Sequence, residues 1–364
     1  MSVQPSALEF SVTASSATAW RTRTLAILLM LTIAGIFWVD SRYPALMKRY
    51  HAGTQIKASG ELTFGTIYPV DRSSMPLATR VYRTTVNWLD ANRVGMTFSF
   101  LFGPAALTYL ATLRRRRTTS RYLNTLFGAA AGIPMAVCTN CVAPIARGFY
   151  ASGMSVESVL AAMFSSPALN VVVLAMTFTL FPASVALLKL ATVLLLIFVF
   201  APAVASRRRD PAPEIACPIE IQVSQTWTDA LLHTGRSFLK SFWYVFRVAF
   251  PLMILGAILG ALVIEALPAQ PLSLPVTFSG IILVALVAAF LPVPMAFDVA
   301  IAYIAMVKGV PLPYVVTILC TLGIISVFSL AVVGKTISWK IAAAAYATVA
   351  TLGALAGILT RAVS

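Results

Sequence analysis

Apolar runs of membrane-crossing length recur along this chain, and clusters of arginine stand at their ends. Residues 25–39, 94–113, 156–181, 183–205, 237–266, 311–333 and 341–360 are each long enough, or nearly so, to span a bilayer, for which a helix needs roughly 20 apolar residues. Shorter apolar stretches at 122–137, 142–152, 276–290 and 295–307 fall between them. A water-soluble fold of this size leaves too much surface wet to hide such runs. Composition agrees: 59% of residues are hydrophobic and 11% are charged, against roughly 25% charged in soluble domains. A soluble enzyme, a disordered chain and a secreted disulfide scaffold are excluded. The expected fold is an all-α integral membrane protein. It has about seven full transmembrane helices and two re-entrant broken-helix hairpins, nine to eleven apolar segments in all.

The net charge of +15 follows the same logic. Arg21 and Arg23, the run Arg114 to Arg117 and the run Arg207 to Arg209 each adjoin an apolar segment. Cytoplasmic loops collect Lys and Arg in this way, so the charge orients the chain and does not point to nucleic acid. No small-residue cleavage site follows the first apolar run, so residues 1–40 are expected to be an uncleaved signal-anchor helix. Residues 41–93 then form an extracytoplasmic polar segment, 94–205 a first membrane repeat, 206–236 a cytoplasmic linker and 237–364 a second repeat. Segment 40–93 carries eight Lys or Arg, which a long outside segment tolerates.

The repeat rests on matched interruptions. Ile133-Pro134-Met135-Ala136 corresponds to Val293-Pro294-Met295-Ala296. Each follows an apolar stretch too short to cross comfortably, and each leads through a short segment to a glycine, Gly153 or Gly309, and a full span. Paired Pro and Gly interruptions in two halves mark transporters built from repeats. If each interrupted pair is a hairpin that leaves on the side it entered, the halves have inverted topology.

Non-helical backbone at membrane depth is tolerated where it is buried or lines a cavity, so candidate chemistry is sought at the breaks. Cys138-Thr139-Asn140-Cys141 puts two thiols three residues apart at a helix start. Such a pair suits a soft ion or metalloid, a dithiol/disulfide couple, or two small buried side chains. Ser165-Ser166-Pro167-Ala168-Leu169-Asn170 kinks a span and places an amide in it, as a site or as helix packing. Asp298 aligns with Cys138 and is an ion site, a proton relay or the partner of a cation such as Arg247. Arg147 and Lys189 read as snorkelling side chains. Cys217 and Cys320 read as incidental. There is no nucleotide-binding loop or hydrolase triad.

The stretch Pro134-Met135-Ala136-Val137-Cys138-Thr139-Asn140-Cys141-Val142-Ala143-Pro144, then Gly153, then Ser166-Pro167-Ala168-Leu169-Asn170, resembles the bacterial permease family that includes organoarsenical efflux permeases. The resemblance is strong over about 122–205, weaker over 237–335 and absent over about the first 90 residues. It departs from the family in its Cys-x-x-Cys spacing and in Phe297-Asp298-Val299 of the second half. It implies a multi-pass inner-membrane permease, possessing two related halves and exporting trivalent organoarsenicals or other soft species. The expected mechanism is gradient-driven export. Cys138, Asn140, Cys141, Ser166, Pro167 and Asn170 line the substrate site, the two cysteines ligate any metal, and Asp298 couples a proton. Alternatives are a membrane thiol-disulfide oxidoreductase and a small organic anion carrier, in which Arg147 or Arg247 matters more. Partners are the lipid bilayer and a soft ion or metalloid substrate, with a homodimer left open. No cofactor and no enzymatic activity are expected.

Overall fold

The structure is a computed structural model, and it describes residues 19–44, 47, 67–70, 74–112, 120–206, 226–266 and 275–363. The arginine clusters at 114–117 and 207–209 and Cys217 lie outside the described residues. So does most of the polar segment before residue 74.

The described residues are helical throughout, with short caps and breaks between helices. The first is α1 (Ala19–Phe37), drawn out by a π turn to Arg42. A single 35-residue helix, α2 (Leu77–Ala111), runs unbroken across the position where the polar segment gives way to apolar sequence. Then come α3 (Arg121–Gly132), α4 (Thr139–Ala151), α5 (Val156–Ala168), α6 (Val171–Leu180) and α7 (Ala183–Leu195), the last continuing to Ser206. The second half follows as α8 (Trp227–Ala266), α9 (Phe278–Phe290), α10 (Phe297–Val307), α11 (Leu312–Thr321), α12 (Val327–Thr336) and α13 (Trp339–Val363).

Four of these are long and apolar enough to cross a membrane: Trp20–Arg42, Ala183–Ser206, Trp227–Leu262 and Trp339–Ala362. Val156–Ala168 with Val171–Leu180 makes a fifth if counted as one span, bent by 47°. This is fewer than the seven full crossings expected from hydropathy. Two apolar runs that read as single spans are broken. Run 156–181 stops at Ala168 because Asn170 caps a new helix, its Oδ1 accepting from Val173 N at 3.0 Å. Run 311–333 stops at Thr321. Gly323 then takes φ +80°, and Ser326 with Ser329 forms a reciprocal capping box that starts α12. Satisfied helix ends of this kind let backbone stop inside an apolar environment.

Glycine spacing sets the close crossings. A Cβ on Gly128 or Gly132 of α3 would collide with the Ser158 backbone or with Ser165 Oγ and Ala162 of α5. On α13, Gly353 and Gly357 meet Thr321 and Thr317 of α11 in the same manner. Both are glycines four apart, the spacing by which membrane helices bring their backbones together.

Candidate functional site

The first break begins where α3 ends. Ile133–Met135 make one tight turn, Ala136 takes the left-handed conformation (φ +48°), and Cys138 caps α4. An L-residue other than glycine rarely adopts that conformation. Packing holds it: Ala136 and Val137 are fully buried, Val137 N donates to Ser166 Oγ at 3.3 Å, and Ser166 Oγ lies 3.3 Å from Val137 O. Trp38 of α1 donates its indole N–H to Pro134 O at 2.8 Å. The second break repeats the turn. Ala296 has φ +64° and caps α10, and the Trp88 indole of α2 donates to Pro292 O at 2.8 Å.

The thiols meet at the first break. Cys138 Sγ and Cys141 Sγ are 2.7 Å apart, both buried, and Cys141 N donates to Cys138 Sγ at 3.2 Å. The N-terminal turn of α4 presents its amides to the sulfur that caps it, an arrangement that favours negative charge there. Asn92 of α2 stands beside the pair. Its Oδ1 is 3.5 Å from Cys138 Sγ, and its Nδ2 donates to Trp88 O at 2.8 Å. Hydrogen bonds therefore run from Cys138 through Asn92 and Trp88 to Pro292 at the other break. Arg42 of α1 comes within electrostatic reach of both thiols. Hydropathy gave no sign of Asn92 or Arg42, since both fall in the segment that reads as polar and extracytoplasmic. Among the described residues no third His, Cys, Asp or Glu joins the thiols in a metal cluster.

The two breaks also touch directly. Asn140 Nδ2 donates to Val293 O at 3.1 Å, and Ser326 Oγ donates to Asn140 Oδ1 at 2.7 Å. Thr139 Oγ1 donates to Ile324 O at 3.1 Å. The first turn of α4 is thus bonded both to the second break and to the extended segment Leu322–Ser326. Asp298 lies against that segment at Gly323. A Cβ on Gly323 would stand 3.1 Å from Asp298 Cβ. Asp298 and Cys138 make no contact with each other: the carboxylate pairs with Lys189 of α7, Oδ2 to Nζ 2.6 Å, both buried. Lys189, which reads as snorkelling in the sequence, is 3% exposed and points inward. Cys320 and Thr192 complete this second cluster by a side-chain hydrogen bond beside Lys189.

The other sequence candidates are engaged locally. Asn170 Nδ2 donates to Ser166 O (2.7 Å) and Pro167 O (3.1 Å), closing the α5–α6 break. Arg147 is also inside. Its Nε donates to Tyr244 O at 3.3 Å, Nη1 to Thr336 Oγ1 at 3.2 Å, and its guanidinium lies over the Tyr244 ring. Arg247 lies near the same ring and not against Asp298.

A family described as predicted permease (ArsP_1) matches residues 106–362, which takes in both breaks. The chain belongs to that family. It is also similar to the UPF0718 protein YraQ of Escherichia coli (strain K12), 25% identical over 246 residues, 67% of this chain and 70% of the relative. No solved structure matches. Family and helices together make this a membrane permease.

Proposed function

We propose that this permease is a secondary, gradient-driven exporter of a soft metal, metalloid or organoarsenical species across the inner membrane. The observation that carries this reading is a pair of thiols, 2.7 Å apart, at the N-terminus of a broken helix bonded to the second break. Broken helices whose termini meet between two halves are how many secondary transporters build a cargo site. Thiols select soft ions and trivalent metalloids over hard ones. Cys138 and Cys141 ligate the cargo. Asn140 ties the ligating turn to the second half, Ser166 fixes the backbone before Cys138, and Asn170 with Pro167 holds the neighbouring break in shape.

In this reading the halves are inverted-topology repeats. Support comes from their order of parts. A left-handed alanine (Ala136, Ala296) is followed by a short helix closed by a positive-φ glycine (Gly153, Gly309). Another helix and a second break follow, capped by Asn170 or Ser326. Asp298 is the coupling group. A proton arriving there discharges the ion pair with Lys189, and Gly323 carries the change to the segment that Thr139 and Asn140 hold.

The test is a substrate panel of arsenicals, antimonials, zinc, copper and organic anions, read by growth resistance and vesicle uptake. At least one thiophilic species should be moved by the wild type and lost in Cys138→Ser/Cys141→Ser at equal membrane abundance. Transport of organic anions alone, unchanged by the double variant, contradicts the reading. The closeness of the sulfurs also suits a thiol-disulfide oxidoreductase. Maleimide trapping separates the two: thiols that cycle with redox conditions favour electron transfer, and thiols that stay reduced and are protected by metal favour transport.

A further inference from the structure

Arg42 has no assigned role, and its surroundings are those of a ligand-binding cation. It ends the π turn of α1, with its guanidinium 4.3 Å above the Phe37 ring. Its Nε is shut off from solvent and meets no hydrogen-bond partner among the described residues. The carboxylate ion pairs among the described residues join Arg93 to Asp90 and Lys189 to Asp298, and neither includes Arg42. Its Nη2 and the Cys141 sulfur flank the same position of the α2 backbone, Gly95. The N-terminus of α4 adds positive potential at the same place. Cation, oriented amides and thiols therefore converge, and among the described residues no carboxylate is ion-paired with Arg42.

Cys141 packs directly against a glycine of α2. A Cβ on Gly95 of α2 would stand 2.7 Å from Cys141 Sγ and 3.8 Å from Arg42 Nη2. Gly95 thus lets the thiol lie against the α2 backbone, with the guanidinium beside it. Phe37, under the guanidinium, also lines an open groove between α1 and α2, shared with Asp40, Arg93, Val94 and Phe98.

We propose that Arg42 and the Cys138/Cys141 pair form one site whose cargo is an anion carrying a soft, thiophilic atom. The soft atom sits on the thiols, and the charged oxygens sit on the guanidinium. This narrows the proposed function and rests on its claim that the thiols bind cargo. Guanidinium forks hold oxyanions through paired, charge-assisted hydrogen bonds. A neutral metalloid needs the thiols only, and a hard oxyanion such as sulfate lacks an atom for them.

The test is calorimetric titration of the purified full-length chain with 4-arsenosobenzoate, sulfate and phenylarsine oxide. Wild type should bind both arsenicals and should bind sulfate at least about tenfold more weakly than 4-arsenosobenzoate. Arg42→Gln should weaken 4-arsenosobenzoate by about tenfold or more while phenylarsine oxide changes by less than about threefold. The retained phenylarsine oxide binding reports an intact site, and Arg42→Lys should recover part of the anion affinity. 4-Arsenosobenzoate binding equal in Arg42→Gln and wild type overturns the proposal, as does a wild type that binds phenylarsine oxide but not 4-arsenosobenzoate. A wild type that binds none of the three fails the thiol-site reading itself.

Discussion

At Ala136 and at Ala296 the backbone makes the same left-handed turn, and two residues later each break places a reactive group at the start of a helix. In the first it is Cys138, in the second Asp298. The surroundings differ more than the backbones do. Asp298 is matched internally by Lys189 at 2.6 Å, a closed pair of opposite charges. The thiols at the first break have Arg42 in reach, with no carboxylate ion-paired to it among the described residues. One break is electrostatically complete, and the other, in the proposed reading, is completed by its cargo. On that contrast the proposed function rests its division of cargo to the first and coupling to the second.

The largest expected effect tests the completed break. Asp298→Ala strands Lys189 in an apolar setting, which costs about 3–5 kcal/mol. Thermal unfolding in detergent should show a large drop, largely restored by Asp298→Ala/Lys189→Met. Cys138→Ser/Cys141→Ser should shift the same transition far less, because no charge is orphaned. Equal losses would erase the distinction between the breaks.

Next comes the support behind each break. Gly132→Val drives a side chain into Ser165 and Ala162, and overpacking of this kind costs about 1–3 kcal/mol. The loss should be visible in stability and should disturb the thiol turn, read as a changed rate of maleimide labelling at Cys141. Smaller still is the indole bond at each break. Trp88→Phe and Trp38→Phe each remove one donor, worth about 1 kcal/mol. Trp88 is buried and Trp38 only half-buried, so unfolding should register the Trp88 change more strongly.

The smallest effect has the opposite sign. Ala136→Gly and Ala296→Gly relieve a left-handed alanine at the cost of a more flexible unfolded chain. Each should leave stability unchanged or raise it by up to about 1 kcal/mol. A clear loss at only one of the two would show that the turns are not equivalent.

Sequence pattern carried the membrane class, and it carried the alignment of Cys138 with Asp298, because proline and alanine recur in order at both places. It did not carry the breaks at Leu169–Asn170 and Leu322–Ser326. Apolar side chains face lipid and protein alike, so hydropathy stays high across a backbone interruption, and only the capping residues Asn170 and Ser326 betray it. Lys189 was misread for a related reason. Its partner lies 109 residues away, and a lone lysine in an apolar run has the same signature whether it reaches out to headgroups or in to a carboxylate. Arg42 and Asn92 were hidden by location, in a stretch whose polarity pointed to the exterior. The helix α2 that carries Asn92 beside the thiols begins 17 residues before the apolar run that announced it.

Uptake by purified protein in proteoliposomes tests the central claim most directly. The cargo is the thiophilic species that the wild type moves, measured with and without a pH gradient and normalised to reconstituted protein. Wild type should accumulate it in a gradient-dependent way, and Cys138→Ser/Cys141→Ser should fall to the level of empty liposomes under both conditions. Gradient-driven uptake by the double variant at the wild-type rate would contradict the account.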